Sequence, residues 1–224
     1  IPQVLTDAGG GLTKLGSGTL TLTGANNYSG DTTISGGALL TTTASTTPGS
    51  VTLADGTEFG VFVLSAGGQY SANNLTLGSS VGSTLNFSMG NFGNPDSAHA
   101  PIVVGGTLSN NGVTTVNVAD GVPQLGQFPL IKYTTLAGTG SFVVGSLPVG
   151  VIASVVTNSG NSSIDLAITS VNQPRWDGQA GATWDTGSDT NWINIGTGLP
   201  TAYADPSTVL FDDDAAGATT VNLN

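Results

Sequence analysis

One short segment of this sequence has the pattern of a covalent catalyst. Residues 78–82 read GSSVG, which matches the Gly-x-Ser-x-Gly elbow of hydrolases, and Asp96 and His99 follow in the order that those enzymes use. The elbow needs a helix after the serine, because the helix holds the strained turn that exposes the hydroxyl group. Residues 83–87 instead alternate polar and apolar side chains, which predicts a strand. We therefore interpret the segment as a turn and predict that Ser80 is not a nucleophile.

The other side chains that could carry catalysis or bind a metal are few. His99 is the only histidine, Glu58 is the only glutamate, and there is no cysteine. A histidine-based zinc site would need carboxylate partners at a suitable spacing, and a glycosidase would have to use Asp in at least one of its two carboxylate roles. The sequence has no spacing that supports either site. It predicts a non-enzymatic protein with no catalytic, cofactor-binding or metal-binding residues.

Charge excludes two classes of partner. The 224 residues include 14 acidic residues but only three bases, Lys14, Lys132 and Arg175, so the formal net charge is -11. Three scattered bases cannot neutralise a phosphate backbone or hold anionic lipid head groups. The most apolar stretch, residues 142–156, is interrupted by two glycines and a proline and is too short to span a bilayer. We therefore expect neither nucleic-acid binding nor membrane insertion.

The C-terminal tail concentrates aromatic and acidic side chains. Trp176, Trp184 and Trp192 are spaced at a strand-turn-strand interval. On one face of a sheet they could contact glycans, and alternatively they are the large apolar anchors of a small β module. Six tail aspartates could bind Ca²⁺ if loops bring several together, or could simply solvate the fold. They are Asp185, Asp189, Asp205, Asp212, Asp213 and Asp214.

Alternation of apolar and polar residues recurs along nearly the whole chain. Each run is short and is bounded by Gly, Asn, Asp or Ser, as expected for strands joined by tight turns. No run has helical periodicity, so we predict an all-β protein, with Leu20, Leu22 and Ile34 facing the core at the N-terminal end. The alternating apolar positions are Leu20 and Leu22, Val51 and Leu53, Leu75 and Leu77, Leu85 and Phe87, Val116 and Val118, Ile164, Leu166 and Ile168, Val209 and Phe211, and Val221 and Leu223.

Two architectures fit short strands joined by glycine-rich turns. One is a β-solenoid, similar to a parallel β-helix, and the other is a β-sandwich or jelly roll. The polar positions carry Thr, Ser and Asn, which can stack in hydrogen-bonded rows along a solenoid, and we therefore prefer the solenoid. Residues 176–224 contain all three tryptophans and seven of the 14 acids. We predict a β-strand-repeat solenoid domain over residues 1–171 and a Trp-rich acidic β module over residues 172–224.

Residues 10–39 resemble a known repeat. They read GGLTKLGSGTLTLTGANNYSGDTTISGGAL, and their glycines, Lys14 and the Asn27-Tyr28-Ser29-Gly30 turn resemble the autotransporter-associated β-strand repeat, also called the passenger-associated transport repeat. Residues 126–166 look like the segment that closes such a repeat region. The Trp-rich tail is similar to a module that often follows in large surface proteins of environmental bacteria. The resemblance implies a secreted or surface-displayed bacterial β-solenoid with a structural or adhesive role.

Both ends of the sequence contain alternating residues that could pair with another chain. Residues 219–224 include neither Pro nor Lys, and a proline is the only blocker among residues 1–6. Unprotected strand edges invite pairing, and pairing between two different ends propagates into a filament. The alternative is that both ends continue into a longer tandem array. The expected assembly strands centre on Val4, Leu5, Val221 and Leu223.

These observations give two main functional hypotheses. The first is a non-enzymatic extracellular structural protein, a subunit or segment of a bacterial surface fibre, sheath or adhesin stalk that self-associates head to tail. The second is a carbohydrate-binding adhesin module that uses the tail tryptophans. A third, weaker hypothesis is a β-helix hydrolase or lyase. Lyases that act on acidic sugars need a cationic groove, which three scattered bases cannot build.

Overall fold

A computed structural model describes residues 4–6, 9–46, 49–90, 96–121, 123–184, 190–204, 209–212 and 214–223. The regular structure in these residues consists of strands without any helix, which confirms the all-β prediction. This part of the chain accordingly contains no helix with the length and apolarity needed to cross a membrane. Four of the six predicted calcium ligands, Asp185, Asp189, Asp205 and Asp213, lie outside the described residues.

The chain divides into two compact units. Unit 1 comprises Ile1–Val122, Gln127–Leu147 and Ser154–Ala167, and unit 2 comprises Pro123–Gly126, Pro148–Ala153 and Ile168–Asn224. The division falls within three strands of one large sheet, at Gly126–Ala137, Val151–Asn158 and Ser163–Val171. The first fifteen strands are β1 (Leu12–Lys14), β2 (Thr19–Thr21), β3 (Thr32–Ile34), β4 (Ala38–Thr42), β5 (Val51–Leu53), β6 (Glu58–Phe62), β7 (Tyr70–Ala72), β8 (Leu75–Leu77), β9 (Thr84–Ser88), β10 (Ile102–Asn110), β11 (Val113–Ala119), β12 (Gly126–Ala137), β13 (Ser141–Val144), β14 (Val151–Asn158) and β15 (Ser163–Val171). The domain boundary between residues 171 and 172 stays a prediction.

From β1 to β13, successive strands alternate between two sheets, except that β7 and β8 lie in the same one. One sheet has the order β1-β3-β5-β8-β10-β12-β15-β14, with β7 also paired to β10, and the other has the order β13-β11-β9-β6-β4-β2. The described pairs from β1 to β13 are parallel. Parallel pairing with this alternation is consistent with a β-helix-like fold. Jelly-roll strands, in contrast, pair antiparallel.

The period-two pattern places one apolar column against another inside unit 1. In the six-stranded sheet, Leu39 pairs with Phe59, Phe59 with Leu85, and Leu85 with Val116. All four side chains are buried. Because neighbouring side chains in a strand point to opposite faces, the intervening polar residues face outward. Stacking of like residues therefore builds the core.

Glycines let successive coils approach closely at the turns. A Cβ on Gly30 would lie 2.6 Å from the carbonyl oxygen of Gly10, and a Cβ on Gly49 would lie 2.2 Å from that of Gly30. The backbone of each turn therefore rests directly on the backbone of the preceding turn. Any larger residue in this glycine column would force the coils apart.

Unit 2 contains two small sheets. Three strands, β16 (Pro174–Trp176), β18 (Trp192–Asn194) and β19 (Leu199–Thr201), form an antiparallel sheet in that order. Two others, β17 (Thr183–Trp184) and β20 (Asn222–Leu223), pair parallel. A strand is predicted around Val209 and Phe211. The described residues there form a single β-bridge instead, between Leu210 and Arg175.

Burial at the N-terminal end follows the predicted pattern for two residues of three. Leu22 is 1% exposed and Ile34 is fully buried, whereas Leu20 is half-buried. Leu20 lies in β2, which is the terminal strand of its sheet, so a neighbouring strand covers it on one side only. The core register is therefore correct, and the exception lies at the edge.

Replacing Leu22 with aspartate is expected to unfold the N-terminal part of unit 1. Burial of a carboxylate among apolar side chains costs several kcal/mol, a large share of the roughly 5–15 kcal/mol that stabilises a domain. Thermal unfolding followed by circular dichroism measures the effect. Leu15→Asp is the matched control, because Leu15 is 69% exposed, and it should leave the melting temperature nearly unchanged. Equal melting curves for the two variants would contradict the register.

Candidate functional site

A groove lies on the outer face of the six-stranded sheet, within unit 1. It encloses about 290 Å³ and is lined by outward-facing residues of consecutive coils. Small-molecule sites generally enclose roughly 300–1,000 Å³, so this groove is at the lower end of their range. Its principal lining residues are Glu58, Gly60, Phe62, Asn86, Ser88 and Asn117.

A glycine lies at the centre of the depression. Strand β6 directs Phe59 and Val61 into the core, so the residues between and beside them face outward. Of these outward positions, Gly60 lies between Glu58 and Phe62 and has no side chain. A Cβ on Gly60 would lie 2.4 Å from Leu40 Cδ2 and 3.2 Å from Asn86 Cβ, so the neighbouring side chains close over the glycine and form the floor.

A row of hydrogen bonds runs across the strands through the groove. Asn86 Nδ2 donates to Glu58 Oε2 at 3.0 Å, and Asn117 Nδ2 donates to Asn86 Oδ1 at 2.8 Å. The backbone N–H of Ser146 donates to Asn117 Oδ1 at 2.7 Å. The row forms because Asn86 pairs in register with Asn117 on the next strand. Each amide nitrogen has a second N–H and each oxygen a second lone pair, so both amides keep hydrogen-bonding capacity beyond the row.

The groove is acidic at its margins. Glu58 lines one end, and Ser88 donates its hydroxyl proton to Asp120 Oδ2 at 2.6 Å. The bases of the chain are held elsewhere: Lys14 Nζ donates to three carbonyl oxygens, Lys132 Nζ to Asn161, and Arg175 Nη1 to Asp214. The site can therefore donate and accept hydrogen bonds and offer an aromatic ring, but its described lining contains no cation to hold an anion.

The glycine-serine turn at residues 78–82 surrounds a carboxylate of its own chain. Asp55 Oδ1 accepts hydrogen bonds at 2.8–3.1 Å from the four backbone N–H groups of residues 79–82. Its Oδ2 accepts the Ser79 and Ser80 hydroxyls at 2.6 and 3.1 Å. The Ser79 hydroxyl first, and then the backbone donors, hold the pKa of Asp55 well below its usual range. The Ser80 hydroxyl therefore donates a hydrogen bond to Asp55. Strand β9 follows this turn, as the alternation of polar and apolar residues predicts.

His99 makes a local pair. Its Nδ1 lies 2.8 Å from Asp96 Oδ2, and its side chain is half exposed. The backbone N–H of Ala98, with a smaller contribution from His99, lowers the pKa of Asp96. Residues 96–99 therefore form a compact loop that is held by its own aspartate.

The tail tryptophans belong to a cluster of five aromatic rings in unit 2. Trp192 is at its centre, with ring centroids 5.1 Å from those of Trp176 and Trp184, 5.8 Å from Tyr203 and 5.7 Å from Phe211. Trp176 and Trp192 are 2% and 1% exposed, whereas Phe211 is 49% exposed. Glycan contact by the tail stays a prediction, and the ring surface that remains for it is on Phe211 and on the half-buried Trp184 and Tyr203.

Some of the predicted calcium and assembly residues, namely Asp212, Asp214, Leu5 and Leu223, have partners within their own units. Asp214 and Asp212 lie 3.0 and 3.8 Å from Arg175 Nη1. The backbone of Leu5 bonds to Asn26 and Asn27, with Val4 beside it, and Asn222, between Val221 and Leu223, pairs with Thr183. Val4 and Leu223 are 44% and 77% exposed. The described residues include no group of three or more His, Asp or Glu arranged around a metal. Calcium binding and assembly stay predictions.

The groove was missed by the sequence analysis, although a signal exists. Strand β9 reads TLNFS and residues 115–119 of strand β11 read TVNVA, so each has an outward asparagine between two inward apolar residues. The equivalent position of β6, EFGVF, is glycine. Alignment of the strands on their inward residues would have shown this column.

Comparison with known proteins identifies a repeat family in one part of the chain. Residues 12–41 match the family model described as the passenger-associated-transport-repeat, which confirms the resemblance of residues 10–39. The matched segment contains β1, β2, β3 and most of β4. The repeat family implies a secreted or cell-surface protein associated with autotransporter passengers. No curated protein and no solved structure gives a significant match to this chain.

The contribution of Asp55 to stability is expected to disappear in acid. Its folded-state pKa is lowered, so the stabilisation is fully present above the unfolded pKa of about 3.9 and is lost as the pH falls through the folded pKa. Asp55→Asn should lower the melting temperature at pH 6, and the difference from wild type should narrow between pH 4 and pH 2. Ser79→Ala should raise the pKa of Asp55 in an NMR titration. A difference in melting temperature between Asp55→Asn and wild type that is constant with pH would contradict stabilisation by the ionised Asp55.

Trp192→Ala is expected to destabilise unit 2 by about 3–5 kcal/mol, because it removes the central ring of the aromatic cluster and leaves a cavity. Chemical denaturation followed by near-ultraviolet circular dichroism measures this loss. Phe211→Ala is the matched control, since half of that side chain is already exposed, and it should cost clearly less. Equal costs for the two variants would show that Trp192 does not organise the cluster.

Proposed function

We propose that this chain, which carries a passenger-associated transport repeat, is a non-enzymatic structural segment of a bacterial surface fibre, sheath or adhesin stalk. In this proposal unit 1 is a solenoid segment that is exported from the cell and serves as a rod. The role is mechanical, and no residue is assigned to catalysis or to a cofactor.

One observation carries the proposal: at one end, each of the two large sheets terminates in a strand of the same repeat. The terminal strands are β1 in one sheet and β2 in the other, and both lie in the matched repeat. Edge strands present backbone N–H and C=O groups that can pair with another strand. A further coil placed against β1 and β2 would continue both ladders with the same spacing. The fold of unit 1 is therefore one that can be lengthened by repetition.

The outward side chains support a rod with a weakly charged surface. Charged residues are 8% of the chain, against roughly 25% in an average soluble domain. The outer columns carry amides and hydroxyls, of which the Glu58-Asn86-Asn117 row is an example. Such side chains bond to their neighbours along the stack without the repulsion that stacked like charges would cause. They add lateral bonds to the backbone ladders.

We place self-association at the two ends that the sequence singles out. Val4 is exposed beside Leu5, whose backbone is bonded to the turn at Asn26 and Asn27. Leu223 is exposed in β20. Residues 4–6 are not in a strand, but their backbone can still pair with one. A strand that is paired on one edge keeps its other edge for a partner, so head-to-tail contact between β20 and the segment at residues 4–6 would give a filament. Continuation of the rod in a covalent tandem array would use the same geometry without self-association.

Electron microscopy and light scattering of the purified chain at increasing concentration test the proposal. We expect concentration-dependent filaments with a regular axial repeat. Leu223→Lys should abolish them, because a charged residue on an edge strand opposes pairing. Leu199→Lys is the matched control, since Leu199 is a 64% exposed leucine of the same unit, and this variant should still assemble.

Two results would contradict parts of this proposal. Filaments that persist in Leu223→Lys would mean that the C-terminal strand does not join subunits. A chain that stays monomeric at all concentrations would contradict self-association. The remaining form of the proposal would then be a segment of a covalent tandem array. Turnover of polysaccharides or esters by the purified chain, abolished by Ser80→Ala or by an Asp→Asn change, would overturn the non-enzymatic assignment.

A further inference from the structure

We propose that the groove around Gly60 binds one or two units of a neutral glycan. The groove is made entirely by residues of unit 1, and the structural role proposed above does not use it. The inference therefore goes beyond that role and is independent of self-association. It gives the rod a binding face in addition to its mechanical function.

The size and position of the groove suit a small polar ligand. It encloses about 290 Å³ on the outside of the sheet, where a ligand can enter without any movement of the core. Glu58 and Phe62 lie on either side of Gly60, and the side chains of Leu40 and Asn86 close over this glycine to form the floor. A ligand of one or two sugar rings fills such a volume, whereas a longer glycan would extend along the sheet.

The hydrogen-bonding groups match sugar hydroxyls. A hydroxyl group both donates and accepts, and the groove offers amide donors on Asn86 and Asn117 beside acceptor oxygens on the same residues and on Glu58. These side chains are already fixed by hydrogen bonds of 2.7–3.0 Å to one another and to the Ser146 backbone. Binding therefore does not have to order them, and preorganisation of this kind favours affinity.

The ring of Phe62 supplies the apolar contact. Each hydrogen bond to a ligand replaces a hydrogen bond to water, so hydrogen bonds alone give little affinity. Phe62 is half-buried and lines the groove, so part of its ring is open to a ligand. The C–H face of a pyranose ring can pack on such an aromatic surface. The combination of ring, amides and carboxylate distinguishes this place from the simple hydroxyl rows elsewhere on the outer face.

The acidic residues around the groove favour an uncharged glycan over an anionic one. Glu58 lines the groove and Asp120 bonds to Ser88 at its margin, whereas no lysine or arginine is among the described lining residues. The formal net charge of the chain is also -11. Sialylated, sulfated and phosphorylated ligands would meet repulsion here without any compensating cation. Neutral hexoses and N-acetylhexosamines carry no such penalty.

A glycan array that contains neutral and acidic oligosaccharides, probed with the full chain, tests the inference. The best neutral oligosaccharide is then titrated by calorimetry against wild type, Phe62→Ala and Asn86→Leu. We expect each groove variant to bind at least tenfold more weakly. Phe211→Ala is the matched control, because it removes a half-exposed ring in unit 2, and its affinity should be unchanged. Melting curves confirm that each variant is folded, and Glu58→Gln, at an exposed position, replaces any variant that is not.

The outcomes separate clearly. Neutral-glycan binding that is lost in the groove variants and kept in Phe211→Ala supports the inference. Binding lost only in Phe211→Ala would place the site on the tail aromatics and overturn it, as would binding confined to acidic glycans or to peptides. An absence of neutral-glycan binding at millimolar concentration would also overturn it. Filament formation by light scattering is measured on the same variants, so failure of the binding site leaves the structural role standing.

Discussion

Parallel, in-register pairing of successive coils is the constraint on which unit 1 depends. Because the strands pair without offset, each residue lies against its equivalent on the neighbouring coils, as Leu39, Phe59, Leu85 and Val116 do. An inward position must therefore be apolar in coil after coil, and a turn position must stay small where backbones meet, as at Gly30 and Gly49. The same backbone bonds that connect the coils also set the size and polarity allowed at each column.

Polar side chains at the two ends of an inward column bond to backbone groups of the nearby turns. In one inward column, Lys14 is followed by Ile34, Leu53, Leu77 and Asn110. Lys14 is only 7% exposed, and its Nζ donates to the carbonyl oxygens of Leu15, Gly16 and Gly36 at 2.8–2.9 Å. Its aliphatic stem can thus cover the end of the apolar column while the ammonium satisfies the turn. At the other end, Asn110 donates to Ser141 O and accepts from Thr114 Oγ1. A lysine within the repeat accordingly has a structural purpose, which is separate from surface charge.

The outward columns show how residue type can vary within a regular stack. Asn86 of β9 and Asn117 of β11 form a hydrogen-bonded row, whereas the residue in register on β6 is Gly60, and these residues line the groove. Asp55 offers a second example, since the turn at residues 79–82 converges its N–H groups on a carboxylate from the preceding coil. Outward side chains of such a fold can therefore differ without any change in its core. The proposed structural role and the proposed binding groove are compatible in one chain.

The sequence by itself determined the strands, the side of each strand that faces inward, and the repeat at residues 12–41. These features are local, because hydrophobic alternation within about five residues is enough to orient a strand. Leu22, Ile34 and Phe87 are buried as that alternation predicts, while Leu20 at the edge is only half-buried. Only the tertiary structure decided which strands pair, and with them the Asn86-Asn117 row, the partner of Ser80 and the aromatic cluster around Trp192. The residues in these contacts come from different coils or distant strands, with loops of unequal length between them. The register between such strands follows from loop closure and packing of the whole unit, and no local pattern of polarity specifies it.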